Sequence, residues 1–217
     1  MNTGTQPFLF NHDITASLTR AETNSYLSLP TPLLQILFEA SELSSLVSGP
    51  ALSSPTLLNQ ASTLLDATES FDVYTWASTI EGTSESSRTQ SRIHTALAHQ
   101  SAVKIYICRS MDQIAPSSQD TGLLVTEIVN HLSLVGVNDP IFKATSWPTF
   151  IAGAETDDPV YRGWALARLQ QFWDLIPWGY VKTAMEVMQT TWSLRDQSIN
   201  ESWIHQLKGL EKHWLIA

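Results

Sequence analysis

Residues 146–175 read SWPTFIAGAETDDPVYRGWALARLQQFWDL, and this stretch decides the fold class. Asp158 followed by Pro159 is a common start of an α-helix, because aspartate caps free backbone N–H groups and proline fits the first helical position. Apolar residues then recur at helical spacing as far as Pro177, where the pattern ends. The stretch therefore predicts a helix that begins at Pro159.

The same helical spacing runs through most of the chain, and the alternation typical of β-strands is almost absent. Breakers between the periodic segments predict further helices over about 32–48, 56–67, 88–111, 119–135, 180–194 and 200–213. The helix over 88–111 is the longest, and we expect it to be the central one. We predict an all-α fold, a single compact domain of about eight helices.

Length and composition also favour one domain. The chain has 217 residues, of which 43% are hydrophobic and 15% are charged, and this balance suits a sizeable core. Residues 1–25 are polar and mixed, so we expect them to form a partly flexible N-terminal arm. Residues 26–217 would then make up the helical domain.

Charge and hydropathy exclude several classes of partner. The net charge of −9 comes from 12 basic and 21 acidic residues that are scattered, so we expect no direct contact with nucleic acid. No apolar run approaches the roughly 18 to 20 residues that span a bilayer, and no leader opens the chain. The single cysteine, Cys108, suits a reducing compartment. These features predict an intracellular, cytoplasmic protein without a membrane span.

Four segments carry a resemblance to a known family. Residues 148–155 follow the pattern Pro-x-Phe-Ile-Ala-Gly-x-Glu, a turn that precedes a helix with an early arginine, Arg162. The other segments are LSLPTPLL at 27–34, AHQSAVKIY at 98–106 and the stretch that opens with WGYV at 178–181. Over roughly residues 27–195 the chain resembles the regulatory domain of fungal zinc-cluster transcription factors.

The resemblance implies a helical regulatory domain, and in some members of that family this region responds to small hydrophobic metabolites. The family's DNA-binding part needs a cluster of cysteines around zinc, whereas this chain has one cysteine. We therefore expect that it cannot bind DNA in that way. It is either a fragment of a transcription factor, which would be nuclear, or a stand-alone descendant of the domain.

Aromatic residues are the candidate ligand contacts. The sequence has no phosphate-binding loop, dinucleotide fingerprint, zinc-protease motif or nucleophile elbow, so we expect neither a cofactor nor a metal. Tryptophan is frequent, with 8 copies, and combines a broad apolar face with a polar tip. Trp147, Trp173, Trp178 and Tyr180 are predicted to line a pocket for a hydrophobic small molecule. The alternative is that the tryptophans belong to the core.

Three polar residues are candidate catalytic groups. His99 and Tyr106 lie seven residues apart on the central helix, roughly on one face, where they could polarise a bound carbonyl. Glu155 could act as a general base if burial raised its pKa. One structural alternative is a core tyrosine beside an exposed histidine. The other is that Gly153 closes a helix, Glu155 or Asp158 caps the next helix, and Arg162 pairs with a carboxylate to lock the turn.

Three functions fit these observations. We favour a stand-alone domain that binds a polyketide or terpenoid and acts as a cofactor-free cyclase or isomerase, such as a pericyclase of Diels-Alder type, in fungal natural-product biosynthesis. The reason is that the DNA-binding part is missing. The second is a ligand-sensing regulatory domain of a transcription factor. The third is an interaction or decoy module, whose apolar stripe on the first helix would be covered by another factor or in a homodimer.

Overall fold

The structure is a computed structural model that describes residues 17–18, 20–22, 28–47, 55–80, 86–112, 120–197 and 202–205. Within these ranges the regular structure is helical and strands are absent. The eight longer helices are α1 Thr31–Val47, α2 Pro55–Ser70, α3 Val73–Thr79, α4 Ser86–Met111, α5 Thr121–Ser133, α6 Ser146–Glu155, α7 Pro159–Leu175 and α8 Gly179–Asp196. A 3-10 helix, Pro140–Thr145, leads directly into α6. The predicted all-α domain of about eight helices is confirmed.

Aspartate side chains start several helices. Asp158 accepts a hydrogen bond from the backbone N of Val160 at 2.7 Å, which confirms the predicted start of α7. Asp72 and Asp120 cap α3 and α5 in the same way. Each cap of this kind contributes about 1 kcal/mol, because it satisfies backbone donors that the first helical turn leaves free.

The sequence-based list of helices lacked two short elements and gave no range for a third. The α3 helix and the 3-10 helix span 7 and 6 residues, too few for a periodic pattern to stand out. The third is α6 at residues 146–155: the resemblance described this region as a turn, whereas the structural alternative expected a helix that closes at Gly153. Every residue of α6 from Pro148 to Glu155 is buried, so the polar face that marks an amphipathic helix in sequence is missing.

The α4 helix is the centre of the fold, as its length predicted. It contacts α1, α2, α3, α5, α6 and the 3-10 helix. Ala96, Ala98 and Ala102 on its buried faces are 0% exposed, and their small side chains allow neighbouring helices to pack closely. The main core lies between α4 and α5–α8, and two smaller cores lie beneath α1–α2 and beneath α3.

The α6 helix is held tightly against α7 and α8 at Gly153. A Cβ atom added there would lie 2.2 Å from Met188 Sδ and 2.7 Å from Ala165 Cβ. The carbonyl oxygen of Gly153 also accepts a hydrogen bond from Trp192 Nε1 at 2.8 Å. These contacts fix the C-terminal end of α6, and therefore the position of Glu155.

The segment before α1 is attached to the central helix by a buried arginine. Arg92 Nη1 donates to the carbonyl of Glu22 at 2.6 Å and to Ser28 Oγ at 2.8 Å. The Glu22 carboxylate in turn accepts from the backbone N of Thr31, at the start of α1. This contact joins the segment ahead of α1 to the helical domain.

Two other expectations fall partly on undescribed residues. Most of the predicted arm, residues 1–25, lies outside the described ranges, so the division into arm and domain stays a prediction. Of the helix predicted over 200–213, residues 203–205 are helical and the others lie outside the described ranges. None of the described helices is long and apolar enough to cross a membrane.

Candidate functional site

A cleft of about 580 Å³ opens at the C-terminal end of α6. The end of α4, the starts of α5 and α7, the end of α8 and the segment at 202–203 surround it. Its charged lining residues are Arg109, Asp112, Glu155, Asp157, Asp158 and Arg195. The volume lies in the range of small-molecule sites, whereas the lining is more charged than the apolar pocket that the tryptophans predicted.

The floor of the cleft is an ion pair between Arg109 and Glu155. Arg109 Nε lies 3.0 Å and 2.9 Å from the two carboxylate oxygens, and Nη2 lies 2.5 Å from Oε1. Trp203 Nε1 donates to Oε2 at 3.0 Å. The Glu155 side chain is 3% exposed, so its negative charge is removed from water and compensated by these donors.

Arg109 joins several elements beyond this pair. Its Nη1 donates to Asp112 Oδ2 at 2.9 Å, and its Nη2 donates to Thr121 Oγ1 at 3.1 Å. The backbone carbonyl of Arg109 accepts from Ser202 Oγ at 2.8 Å. Hydrogen bonding to Glu155 raises the pKa of Arg109 above its ordinary value, so the guanidinium is always charged. The guanidinium of Arg109 therefore connects α4 to α5 and α6, and its backbone carbonyl connects α4 to Ser202.

A second arginine caps the end of α6 at the rim. Arg195 Nη2 donates to the carbonyl of Ala154 at 2.9 Å, and Nη1 donates to the carbonyl of Glu155 at 2.8 Å and to Asp157 Oδ1 at 3.0 Å. Helix C-termini favour cations because their carbonyl groups lack intrahelical partners. Arg195 thus stabilises the helix end that presents Glu155.

Arg162 completes the rim network. It pairs with Asp157 and with Asp196, at 3.1 Å in each case. The interpretation in which Asp158 caps the next helix while Arg162 pairs with a carboxylate is therefore confirmed. Glu155 does not share in the capping, because its side chain faces Arg109 in the cleft.

The cleft carries an excess of negative charge. Four carboxylates line it, against the guanidinium groups of Arg109 and Arg195. Asp112 accepts from Arg109 through one oxygen, and the Asp157 side chain is 73% exposed. The cleft therefore offers more hydrogen-bond acceptors than donors to an incoming molecule, with aromatic surface from Tyr161 and Trp203 beside them.

The other two predicted catalytic residues, His99 and Tyr106, do not line the cleft. His99 is 2% exposed and stacks on Trp147, with ring centroids 6.0 Å apart. Trp147 and Glu155 are eight residues apart on one helix, or about 12 Å along its axis. Tyr106 is half-buried and, like Trp147, packs against both the main core and the α1–α2 core. The cleft described above includes Glu155 but none of the other predicted site residues.

Burial also changes the chemistry of His99. Its Nδ1 lies 2.9 Å from the carbonyl of Thr95, one turn earlier on α4. Loss of hydration lowers the pKa of His99 to about 4, although that hydrogen bond opposes the change. His99 is therefore neutral near pH 7 and is a buried core residue, whereas the structural alternative expected it to be exposed.

The remaining aromatic candidates lie near the C-terminal end of α7 and the start of α8. Trp173 is half-buried against the main core. Trp178 is 42% exposed, and its ring centroid lies 5.8 Å from that of Tyr180. The hydroxyl of Tyr180 lies 3.2 Å from Ser146 Oγ, at the start of α6. These residues belong to the N-terminal side of α6, away from the charged cleft.

Sequence reasoning missed Arg109 as a site residue, although the sequence contains a signal. Arg109 lies four residues after Ile105, so it continues the buried stripe of the central helix. Glu155 closes the otherwise uncharged run 146–154. Arg109 therefore lies on a buried stripe and Glu155 follows a run without charges. Together they indicate a buried ion pair. Trp203 lies in a segment with no comparable signal.

Comparison with known proteins agrees with the geometry of a small helical regulatory domain. Residues 4–216 match the family described as the fungal specific transcription factor domain. The chain is also similar to the acriflavine sensitivity control protein acr-2 of Neurospora crassa, with 36% identity over 227 aligned residues. The alignment covers 92% of this chain and 36% of acr-2, so the chain spans about a third of that relative. No solved structure matches the chain.

These findings correct the function favoured from sequence. The interpretation as a cofactor-free cyclase or isomerase of natural-product biosynthesis is wrong, because the family match over residues 4–216 is to a transcription-factor domain and the relative is named a control protein. That interpretation gave too much weight to the missing zinc-cluster part. Within the described residues, no group of three or more His, Cys, Asp or Glu side chains could hold a metal ion. From its sequence and its helical fold, the chain belongs to the fungal specific transcription factor domain family.

Proposed function

We propose that this chain is the regulatory domain of a fungal transcription factor, and that its charged cleft binds a small molecule that changes the regulatory state. The observation that carries the proposal is the Arg109–Glu155 ion pair at the floor of the cleft. A nuclear location follows from this role.

The ion pair provides a route from a bound molecule to the fold. Arg109 also bonds to Asp112 and Thr121, and Trp203 bonds to Glu155, so one network links four parts of the chain. A ligand that competes for Asp112 would alter the bonds of Arg109. A ligand shifts a conformational equilibrium only through different contacts in the two states, and this network supplies them.

The lining favours a cationic ligand with an aromatic part. The carboxylates exceed the guanidinium groups, and Tyr161 and Trp203 offer ring surfaces. The hydrophobic ligand expected from the tryptophans remains a separate proposal, since those residues lie elsewhere. The name of the relative acr-2 refers to acriflavine, a planar aromatic cation, which makes acriflavine a suitable probe.

Binding can be tested by titrating acriflavine fluorescence with the purified 217-residue chain. We expect Asp112→Asn and Asp158→Asn each to weaken binding, because each removes one cleft charge; asparagine also keeps the helix cap at position 158. Asp174→Asn is the matched control, since Asp174 is exposed on α7 outside the cleft and bonds to Gln170. Equal affinity in all four proteins would refute the proposed ligand class.

The regulatory role needs a separate readout. The chain can be fused to an unrelated DNA-binding domain, and reporter transcription measured with and without acriflavine. We expect acriflavine to change transcription in the wild-type fusion and not in the Asp112→Asn fusion. Binding in solution with no effect on transcription would reject the regulatory role while leaving the cleft as a binding site.

A homodimer is a further part of the proposal. Leu46 on α1 is 58% exposed and Leu58 on α2 is 38% exposed. These side chains support an apolar contact between two copies of the chain beside the α1–α2 core. Sedimentation analysis of the chain, with Leu46→Glu as the variant, tests it. We expect a dimer that dissociates in the variant, and a wild-type monomer would exclude the dimer.

A further inference from the structure

A pair of histidines faces one another across the contact between α4 and α5. His94 lies on α4 and His131 lies in the last turn of α5, and both are half-buried. Their Nδ1 atoms are 3.1 Å apart, and their ring centroids are 5.3 Å apart. Both side chains lie outside the charged cleft, so the pair is independent of the function proposed above.

The separation of the two nitrogens matches that of two ligands on one metal ion. Zinc binds histidine nitrogen at about 2.0–2.1 Å in tetrahedral geometry, which places two ligand nitrogens about 3.3 Å apart. The observed 3.1 Å is close to this value. A neutral imidazole ring presents a lone pair at Nδ1 when its hydrogen is on Nε2, and the half-exposed position of the pair lets an ion enter from solvent.

The surroundings favour a cation at this point. The C-terminal end of a helix carries partial negative charge from its free carbonyl groups, and His131 lies in the last turn of α5. Glu127 lies one turn before His131 and adds a full negative charge nearby.

We propose that His94 and His131 together bind one divalent transition-metal ion, with Zn²⁺ as the reference case, through their Nδ1 atoms. Water completes the coordination, because the described residues around the pair offer no third protein ligand. In the metal-free protein one ring donates its Nδ1 hydrogen to the other. On binding, that hydrogen leaves Nδ1 and Nε2 of the same ring becomes protonated through water, so both rings carry hydrogen at Nε2.

Such an ion would cross-link α4 to α5. The α5 helix also supplies Thr121 to the Arg109 network at its other end. A metal bound at His131 would therefore restrict the motion of a helix that borders the cleft, without contacting the cleft itself.

The test is calorimetric titration of the full 217-residue chain, free of any affinity tag, with ZnCl₂. We expect one ion bound per chain, and a dissociation constant raised at least about tenfold in His94→Asn and in His131→Asn. Asparagine keeps a hydrogen-bonding atom close to the position of Nδ1, so circular dichroism should show that both variants remain folded. Ser133→Ala, on the same turn of α5, is the matched control and should bind as the wild type does.

A second readout separates coordination from a nonspecific effect on stability. Nitrogen NMR of labelled histidine distinguishes rings that carry hydrogen at Nδ1 from rings that carry it at Nε2. We expect one ring of each kind without zinc, and two Nε2–H rings with zinc. Absence of zinc binding in the wild type, or wild-type affinity in either asparagine variant, would overturn the proposal.

Discussion

The two ends of α6 hold buried ionisable groups in opposite ways. At the C-terminal end, Glu155 and Arg109 form an ion pair, and this partner raises the pKa of Arg109. At the N-terminal end, Arg168 bonds to Thr145 Oγ1 at 3.1 Å and lies 4.6 Å from the centre of the Phe142 ring. Burial lowers the pKa of Arg168 to about 10.

The difference shows what each end of the helix is suited for. The N-terminal end disfavours charge, since His99 is neutral there and Arg168 relies on an aromatic face and neutral acceptors. The C-terminal end stabilises charge, and its ion pair is open to the cleft. A charged ligand can therefore exchange partners at the C-terminal end, whereas the other end serves packing. Four measurements test this contrast.

The largest effect is expected from Glu155→Gln. The variant leaves Arg109 without its buried counter-charge, and breaking a buried pair in this way costs about 3 kcal/mol of unfolding free energy. The value is at the low end because the Arg109 side chain is 29% exposed and keeps Asp112 as a partner. Urea unfolding followed by circular dichroism measures it. A loss below about 1 kcal/mol would place this pair with ordinary surface ion pairs and remove the contrast.

The next prediction is that the unfolding free energy depends on pH through His99, at the N-terminal end of α6. The pKa of His99 is about 4 in the folded chain and near 6.5 when unfolded. The unfolded state therefore binds the proton first, and the stability present above pH 6.5 is lost as pH falls towards 4. The loss should reach about 3 kcal/mol, at 1.36 kcal/mol for each pH unit between the two pKa values.

The control for this pH dependence is His99→Phe, which keeps a ring against Trp147 but cannot bind a proton. Unfolding free energies of both proteins should be measured from pH 7 to pH 4. We expect the difference between them to shift in favour of the variant as the pH falls. A constant difference would mean that His99 is protonated equally in both states.

Gly153→Ala tests how firmly the C-terminal end of α6 is fixed. The new methyl group would overlap Met188 Sδ and Ala165 Cβ, and overpacking of this kind costs about 2 kcal/mol. Gly163→Ala is the matched control on α7, because no atom lies within 4 Å of the added Cβ. It should stabilise the protein by up to about 1 kcal/mol through helix propensity. Equal melting temperatures for the two variants would contradict the close packing.

The smallest effect is expected from Asp157→Asn. Asp157 accepts from Arg162 and Arg195, yet its side chain is 73% exposed, and such pairs contribute less than about 1 kcal/mol. Both Asp157→Asn and Glu155→Gln remove one carboxylate beside an arginine. Comparing their unfolding free energies in the same urea experiment therefore separates the effect of burial from the effect of losing a charge. Losses of equal size in the two variants would show that burial does not set the strength of the pair.

Particular residues show why part of the fold could be predicted and part could not. The start of α7 followed from Asp158 and Pro159, because capping is a local interaction between neighbours in sequence. Gly153 indicated the end of a helix, but the range of α6 could not be taken from periodicity, because residues 148–155 are all buried and the helix has no polar face. His99 and Tyr106 lie on the central helix as predicted. Sequence spacing shows which residues share a helix face, but it does not show whether that face lines a cavity or packs in the core.

The helical class, the central helix and the family could be predicted from the chain alone, since spacing, caps and short motifs are properties of neighbouring residues. The pairing of Glu155 with Arg109, and of His94 with His131 across 37 positions of sequence, could be seen only in the folded chain. Burial and pairing depend on which helices pack together. No local sequence pattern predicts which residue will lie opposite a given charged residue.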